Sequence, residues 1–244
     1  MSLLVIVICL LSERYLVNKT AHNRFHWFML YTNAILPVFS KLSPSLLLTM
    51  IVLPPVVAVG IALHAVNHVF FDVMGLFLSV VVFYYCIGPT NPFYPAHAKP
   101  LPDIAEADIG GYLVRANDEL FAVLFWYVIL GPLGILAYRL VSLCKGLTAI
   151  DQQAKYVLDR LDWFPARMTA LLYLLVGHFQ AGYSCYKRLF FSNASQNNAL
   201  LSSCGLAALE SNEPQTMLHA EHLVEHATIV FLVLLAFCTI VAWV

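Results

Sequence analysis

Asp159-Arg160-Leu161-Asp162-Trp163-Phe164-Pro165-Ala166-Arg167 sets the class of this chain. Its charges stand between two apolar segments: Leu120–Val141 before it, and Pro165–Tyr183, which begins inside it. A water-soluble core has no reason to set fixed charge there, whereas a membrane protein with a polar face pressed against its spans does. Composition agrees. Of 244 residues, 61% are hydrophobic and 11% charged, against about 25% charged in an ordinary globular chain. The apolar residues are gathered in runs, which implies an integral membrane protein. With net charge -1 and no basic stripe, nucleic acid is not an expected partner; membrane lipid is.

Working outward, four segments are long enough to cross a bilayer and a fifth is marginal. They are Ser45–Val66, with Pro54-Pro55 expected to kink or interrupt it, Val69–Gly88, Leu120–Val141, the marginal Pro165–Tyr183, and Ala227–Val244. The first two form a helical hairpin with His64 and His68 near its tip. Gly131-Pro132-Leu133-Gly134 marks a second break. Met1–Leu11 is apolar but lacks a basic start and a small-residue cleavage site, so it reads as a retained helix and not as a signal peptide.

Four polar tracts separate these segments within one membrane domain, 1–244. Ser12–Pro44 is amphipathic and aromatic-rich, suited to the interface. Pro89–Asp118 holds five prolines and reads as loop. Ser142–Phe164 is an amphipathic helix, with Ile150, Ala154, Val157, Leu158 and Leu161 on one face. Ser184–His226 is the longest tract and is polar in its centre. Lys and Arg number four, two, five (Arg139 to Arg167) and two along these tracts, which favours a cytoplasmic N-terminal tract. Cys9, Cys86, Cys144, Cys185, Cys204 and Cys238 show no disulfide framework, and the sequon Asn193-Ala194-Ser195 is a three-residue match only. The fold expected is all-α and polytopic, with about five spanning or re-entrant helices plus amphipathic interfacial helices.

Asp159 and Asp162, at i and i+3, share a helical face. Pro165 suits a first helical turn, with Asp162 or a neighbour able to cap it. Arg167 stands at the wrong end of that helix for a cation, which implies an acidic partner or an anionic ligand. Asn117-Asp118-Glu119 has the form of an N-cap followed by first-turn acids, or places Asp118 on the polar face of Asp159 and Asp162. Asp118, Asp159 and Asp162 with Arg139 and Arg167 are a donor set for Mg²⁺ and a phosphate. Against this stands a structural Asp–Arg pair that pins two helices. Glu13-Arg14 either closes the same cluster or is an exposed pair.

His222 to His226 matches H-x-x-E-H, a zinc pattern, with His219 on the same stripe. No downstream glutamate completes it, and a polar turn at the membrane edge explains it equally. His178 reads as a membrane histidine bonded to a neighbouring helix. No Walker loop, G-x-G-x-x-G, G-x-S-x-G or nucleophile triad is present.

Glu13-Arg14, Leu120–Trp126, Leu130-Gly131-Pro132-Leu133-Gly134, Tyr138-Arg139-Leu140, Leu158–Arg167 and Leu175-Val176-Gly177-His178, in that order and spacing, resemble AmpE. This is an inner-membrane protein family linked with β-lactamase induction in Gram-negative bacteria. AmpE is itself similar to CobD/CbiB, the membrane enzyme that joins an aminopropanol group to the corrinoid in cobalamin biosynthesis. Asp118, Asp159, Pro165 and Arg167 fall where those enzymes have like residues. Val114, Arg115, Ser142 and Lys145 fall where they carry polar or acidic ones, and Asp162 replaces an Asn. The resemblance implies a multi-pass protein of the bacterial inner (cytoplasmic) membrane. It implies an accessory role in β-lactamase induction and cell-wall recycling, partnered by a cytosolic cell-wall amidase or another recycling protein. The alternative it implies is a CobD/CbiB-like transferase or ligase acting on a phosphate-bearing or amine substrate. Whether a reaction is catalysed stays open between the two. Broken helices at Pro54-Pro55 and Gly131-Pro132 also fit a small carrier, which the lack of internal repeats disfavours.

Overall fold

A computed structural model describes residues 5–7, 9–10, 25–39, 42–69, 71–87, 106–209 and 217–241. Its helices are α1 (His26–Val38), α2 (Pro44–Val69), α3 (Phe71–Cys86), α4 (Glu106–Ala116), a π turn (Asn117–Phe121), α5 (Ala122–Leu143), α6 (Asp151–Leu161), α7 (Trp163–Val176), α8 (Phe179–Leu189), a 3-10 turn (Ala194–Gln196), α9 (Asn197–Ala208) and α10 (Met217–Val241). Among the described residues there is no strand. The protein is an all-α membrane protein. Three helical runs are long and apolar enough to cross a bilayer: Pro44–Ala65, Ile109–Leu143 and Met217–Val241.

The chain forms two compact units, Met1–Pro89 with Val123–Arg160, and Thr90–Ala122 with Leu161–Val244. In the first unit α2 packs on α3 and on α1, the hairpin the sequence implies. Its core holds Ile6, Phe28, Ile51, Phe83, Tyr127 and Ile135, all buried. Phe83 meets Tyr127 edge-on at 4.7 Å. Val5, Ile6, Cys9 and Leu10 are buried and helical, with Cys9 Sγ donating to Val80 O at 3.7 Å. The apolar N-terminal run therefore packs as part of this unit. On α6, Ala154 and Leu158 are buried, as is Ile150 just before it, while Gln152, Lys155, Tyr156 and Arg160 face out. The amphipathic helix expected over Ser142–Phe164 is thus present but shorter, Asp151–Leu161, with turns before it and α7 beginning at Trp163. Gly146 has φ +93°, a left-handed turn that glycine adopts at no steric cost, and its N–H donates to Asp151 Oδ1 at 2.8 Å.

In the second unit α9 packs against α7, α4 and α8, and α10 packs against α7 and α4. The sequence reading of Ser184–His226 as one polar tract is corrected here, because α9 buries Leu200, Leu201, Cys204 and Ala208. Short apolar spacing inside a polar context hid it.

Several other boundaries move. Pro54-Pro55 does not interrupt α2. The Gly131 break is real: Gly131 has φ 67° and ψ -155° inside α5. Asn117 is not an N-cap, because α4 runs into it and the helix continues. Of the Pro89–Asp118 tract, Glu106 onward is thus helix; Pro89–Ala105 lies outside the described residues, as do Glu13-Arg14. The α3 helix has 16 residues, about 24 Å, short of the ~30 Å hydrocarbon core. The marginal Pro165–Tyr183 segment is two helices parted at Gly177-His178. The last helix starts at Met217, ten residues before Ala227, because its His- and Glu-bearing first turns are helical too.

Candidate functional site

Arg167, on the second turn of α7, is 3% exposed. Nε donates to Phe190 O at 2.7 Å. Nη1 donates to Trp163 O at 2.7 Å and to Asn197 Oδ1 at 2.9 Å. Nη2 donates to Ser192 O at 2.9 Å and, at 3.5 Å, to Ser192 Oγ. A guanidinium has five N–H donors, so all are engaged. The Trp163 ring lies beneath it, 4.0 Å from Cζ to centroid. The partners are neutral oxygens, not the acid or anionic ligand the sequence implied. Most are backbone carbonyls, which carry no mark in a sequence. Trp163 Nε1 adds a bond to Ser192 O at 3.3 Å, and Tyr186 OH donates to Arg167 O at 3.3 Å. Burial raises the Tyr186 hydroxyl pKa; the neighbouring Cys204 raises it further and Arg167 lowers it.

Thr169 and Tyr173, one turn apart on α7, serve a second polar seam. Thr169 Oγ1 donates to Asn117 Oδ1 at 2.9 Å, and Tyr173 OH donates to Leu113 O at 3.0 Å. Asn117 is fully buried; its Nδ2 donates to Asp118 Oδ1 at 3.2 Å. It opens the π turn, a distortion frequent at functional sites. The chain Thr169–Asn117–Asp118 thus orients a half-buried carboxylate. Neither Thr169 nor Asn197 stood out in the sequence. Both are small polar residues whose partners are remote along the chain.

The five expected site residues divide between the units. Asp118, Asp162 and Arg167 belong to the second unit; Arg139 and Asp159 belong to the first. Asp162 is 6% exposed and precedes α7, but its side chain makes no capping bond; its carbonyl accepts from Ala166 N at 2.9 Å. Arg139 is 4% exposed, with Cζ 5.4 Å from the Phe25 ring centroid. Asp159 is half-buried on α6. His178 is exposed, and its backbone N–H donates to Ala208 O at 3.0 Å.

Among the described residues, no group of three or more His, Cys, Asp or Glu side chains is placed to hold a metal ion. This holds for the stripe of His219, His222 and His226 as well. In the His stripe, His226 Nδ1 lies 2.7 Å from His222 O, and His222 sits 3.9 Å from Glu225.

No family model matches the chain, and no solved structure matches it. The chain is similar to the cobalamin biosynthesis protein CobD of Chromobacterium violaceum, 32% identical over 114 residues, 43% of this chain and 36% of that protein. It is also similar to the CobD of Stutzerimonas stutzeri, 27% identical over 92 residues, 34% of this chain and 30% of that protein. The chain thus matches about a third of the length of these relatives. Both bear out the CobD/CbiB side of the resemblance, and neither lends support to AmpE.

Proposed function

We propose that this chain is a CobD-like membrane protein of cobalamin biosynthesis and not an AmpE-like accessory of β-lactamase induction. One observation carries the reading: the likeness over 114 residues to a protein named for that process. The all-α membrane fold is consistent with it. By the resemblance, the chain is a transferase or ligase of the bacterial inner membrane, crossing it several times, and acts on a phosphate-bearing or amine substrate. We assign ligand roles residue by residue, to Asp118 and Asp162 in the second unit and to Arg139 and Asp159 in the first. Arg167 is given a positioning role, since its donors are already spent on the chain's own oxygens.

The test is complementation. In a bacterium deleted for its own CobD-type protein, this chain restores growth that depends on newly made cobalamin. Asp118→Asn and Asp159→Asn do not restore it, although both reach the membrane at the level of the parent chain. Failure of the parent chain, present and folded in the membrane, overturns the proposal. Restoration by both variants removes the site assignment and leaves the process assignment standing.

A further inference from the structure

The outer face of α8 and the turn after it carry a feature that the ligand site does not use. One side of α8 is packed: Gly182 is buried against Leu174, with Ala207 3.4 Å from where a Cβ would stand. Away from it, Phe179, Tyr183 and Lys187 follow one another at i, i+4 and i+8, with Arg188 next to Lys187, and all four are exposed. Phe179 and Tyr183 stack with centroids 5.2 Å apart, and both are exposed, 40% and 49%. Just beyond the helix, Phe191 is 87% exposed.

That exposure is built. Arg167 holds the carbonyls on either side of Phe191, those of Phe190 and Ser192, with one guanidinium. Phe190 turns inward, 6.5 Å from Trp163 and 5.4 Å from Tyr186. Its neighbour is thereby displayed on a fixed backbone. Charge is one-sided as well: between Asp162 and Glu210 the sequence has no acid, while it carries Arg167, Lys187 and Arg188. Cations in the last turn of a helix answer its dipole. The dipole does not account for a neighbouring phenylalanine clamped outward.

We propose that this face is an anionic-lipid contact: Phe191 enters the acyl boundary, Phe179 and Tyr183 lie at headgroup depth, and Lys187 and Arg188 bind lipid phosphates. Aromatic rings settle at the membrane–water interface, and juxtamembrane cations gain from anionic headgroups. The inference rests on the membrane character of the chain and not on its place in cobalamin biosynthesis.

The full chain, reconstituted in nanodiscs of phosphatidylcholine with phosphatidylglycerol, tests both halves. The first uses Phe191→Cys, spin-labelled in a Cys185→Ser, Cys238→Ser background, since the other four cysteines are buried. The label is expected to be open to oxygen and closed to a water-soluble nickel chelate. Free access by nickel makes the turn an aqueous loop and overturns the proposal. Exclusion of both probes, as when a protein partner or a second copy covers the turn, overturns it too. Should the labelled variant not fold, Phe191→Trp quenched by brominated lipid gives the same depth reading. The second half uses Lys187→Gln with Arg188→Gln. Selectivity for spin-labelled phosphatidylglycerol over phosphatidylcholine should fall by about fivefold for each cation removed; unchanged selectivity refutes the headgroup contact.

Discussion

The α2 and α7 helices are both apolar, yet they answer to different solvents. Of the crossing stretch Pro44–Ala65, only 17% is buried within the protein, and Leu53, Val57 and Ile61 face outward. In α7 the buried residues are Pro165, Ala166, Arg167, Thr169, Ala170, Leu172, Tyr173 and Leu174. The first helix is apolar because lipid surrounds it. The second is apolar because protein does, and it can hold polar groups because protein supplies their partners. Stability in α2 is therefore spread thinly over many contacts, whereas in α7 it is concentrated in a few polar side chains.

Arg167→Met is the harshest way to break this contrast. It withdraws the guanidinium's donors from Phe190 O, Trp163 O, Ser192 O and Asn197 Oδ1, and unfolding in detergent should show a loss of about 3–5 kcal/mol. Arg167→Lys should recover less than half of that, because a point ammonium cannot reproduce the planar fork. A Met variant as stable as the parent would refute the clamp. Next comes Gly177→Ala. A Cβ there meets the backbone of Ala208, which cannot swing aside as a side chain does. A loss of about 1–3 kcal/mol is expected, read as a lower melting temperature. Thr169→Val takes the donor from Asn117 Oδ1 and should cost about 1–2 kcal/mol.

A smaller effect is a pH dependence at Cys204. Burial raises this thiol above its ordinary 9.0, and Cys185 adds to the shift. The unfolded chain then loses the thiol proton first, so stability falls as pH rises above about 9. Melting curves at pH 8 and pH 10 should show a gap that narrows in Cys204→Ala. Last, Leu53→Ala on the outer face of α2 should move stability by no more than about 0.5 kcal/mol. A large loss there would mean that α2 is covered by protein after all.

What could be read in advance follows the same division. The apolar run of α2 and the amphipathic face of α6 were legible, because lipid and water impose their own periodicities. The Gly131 break was legible from its Gly-Pro pair. Pro54-Pro55 misled, since α2 runs through the pair unbroken and membrane helices tolerate proline. The π turn at Asn117 was hidden, because a widened turn has no residue signature. In the candidate site, the ionisable residues could be named from the sequence, but the partners of Arg167 could not. Backbone carbonyls look alike in every sequence, and Asn197 stands thirty residues away from the arginine it holds.

The neutrality of that clamp has an electrostatic consequence. Carbonyl and amide oxygens solvate a guanidinium, but they do not cancel its unit charge as a carboxylate would. The second unit thus keeps a fixed positive centre under the Phe190–Asn197 turn. At an effective dielectric of about 20, such a centre draws a single negative charge about 8 Å away by roughly 2 kcal/mol. An anion near this turn is favoured before it touches any side chain, and the source of the pull is a residue with no donor left to offer it.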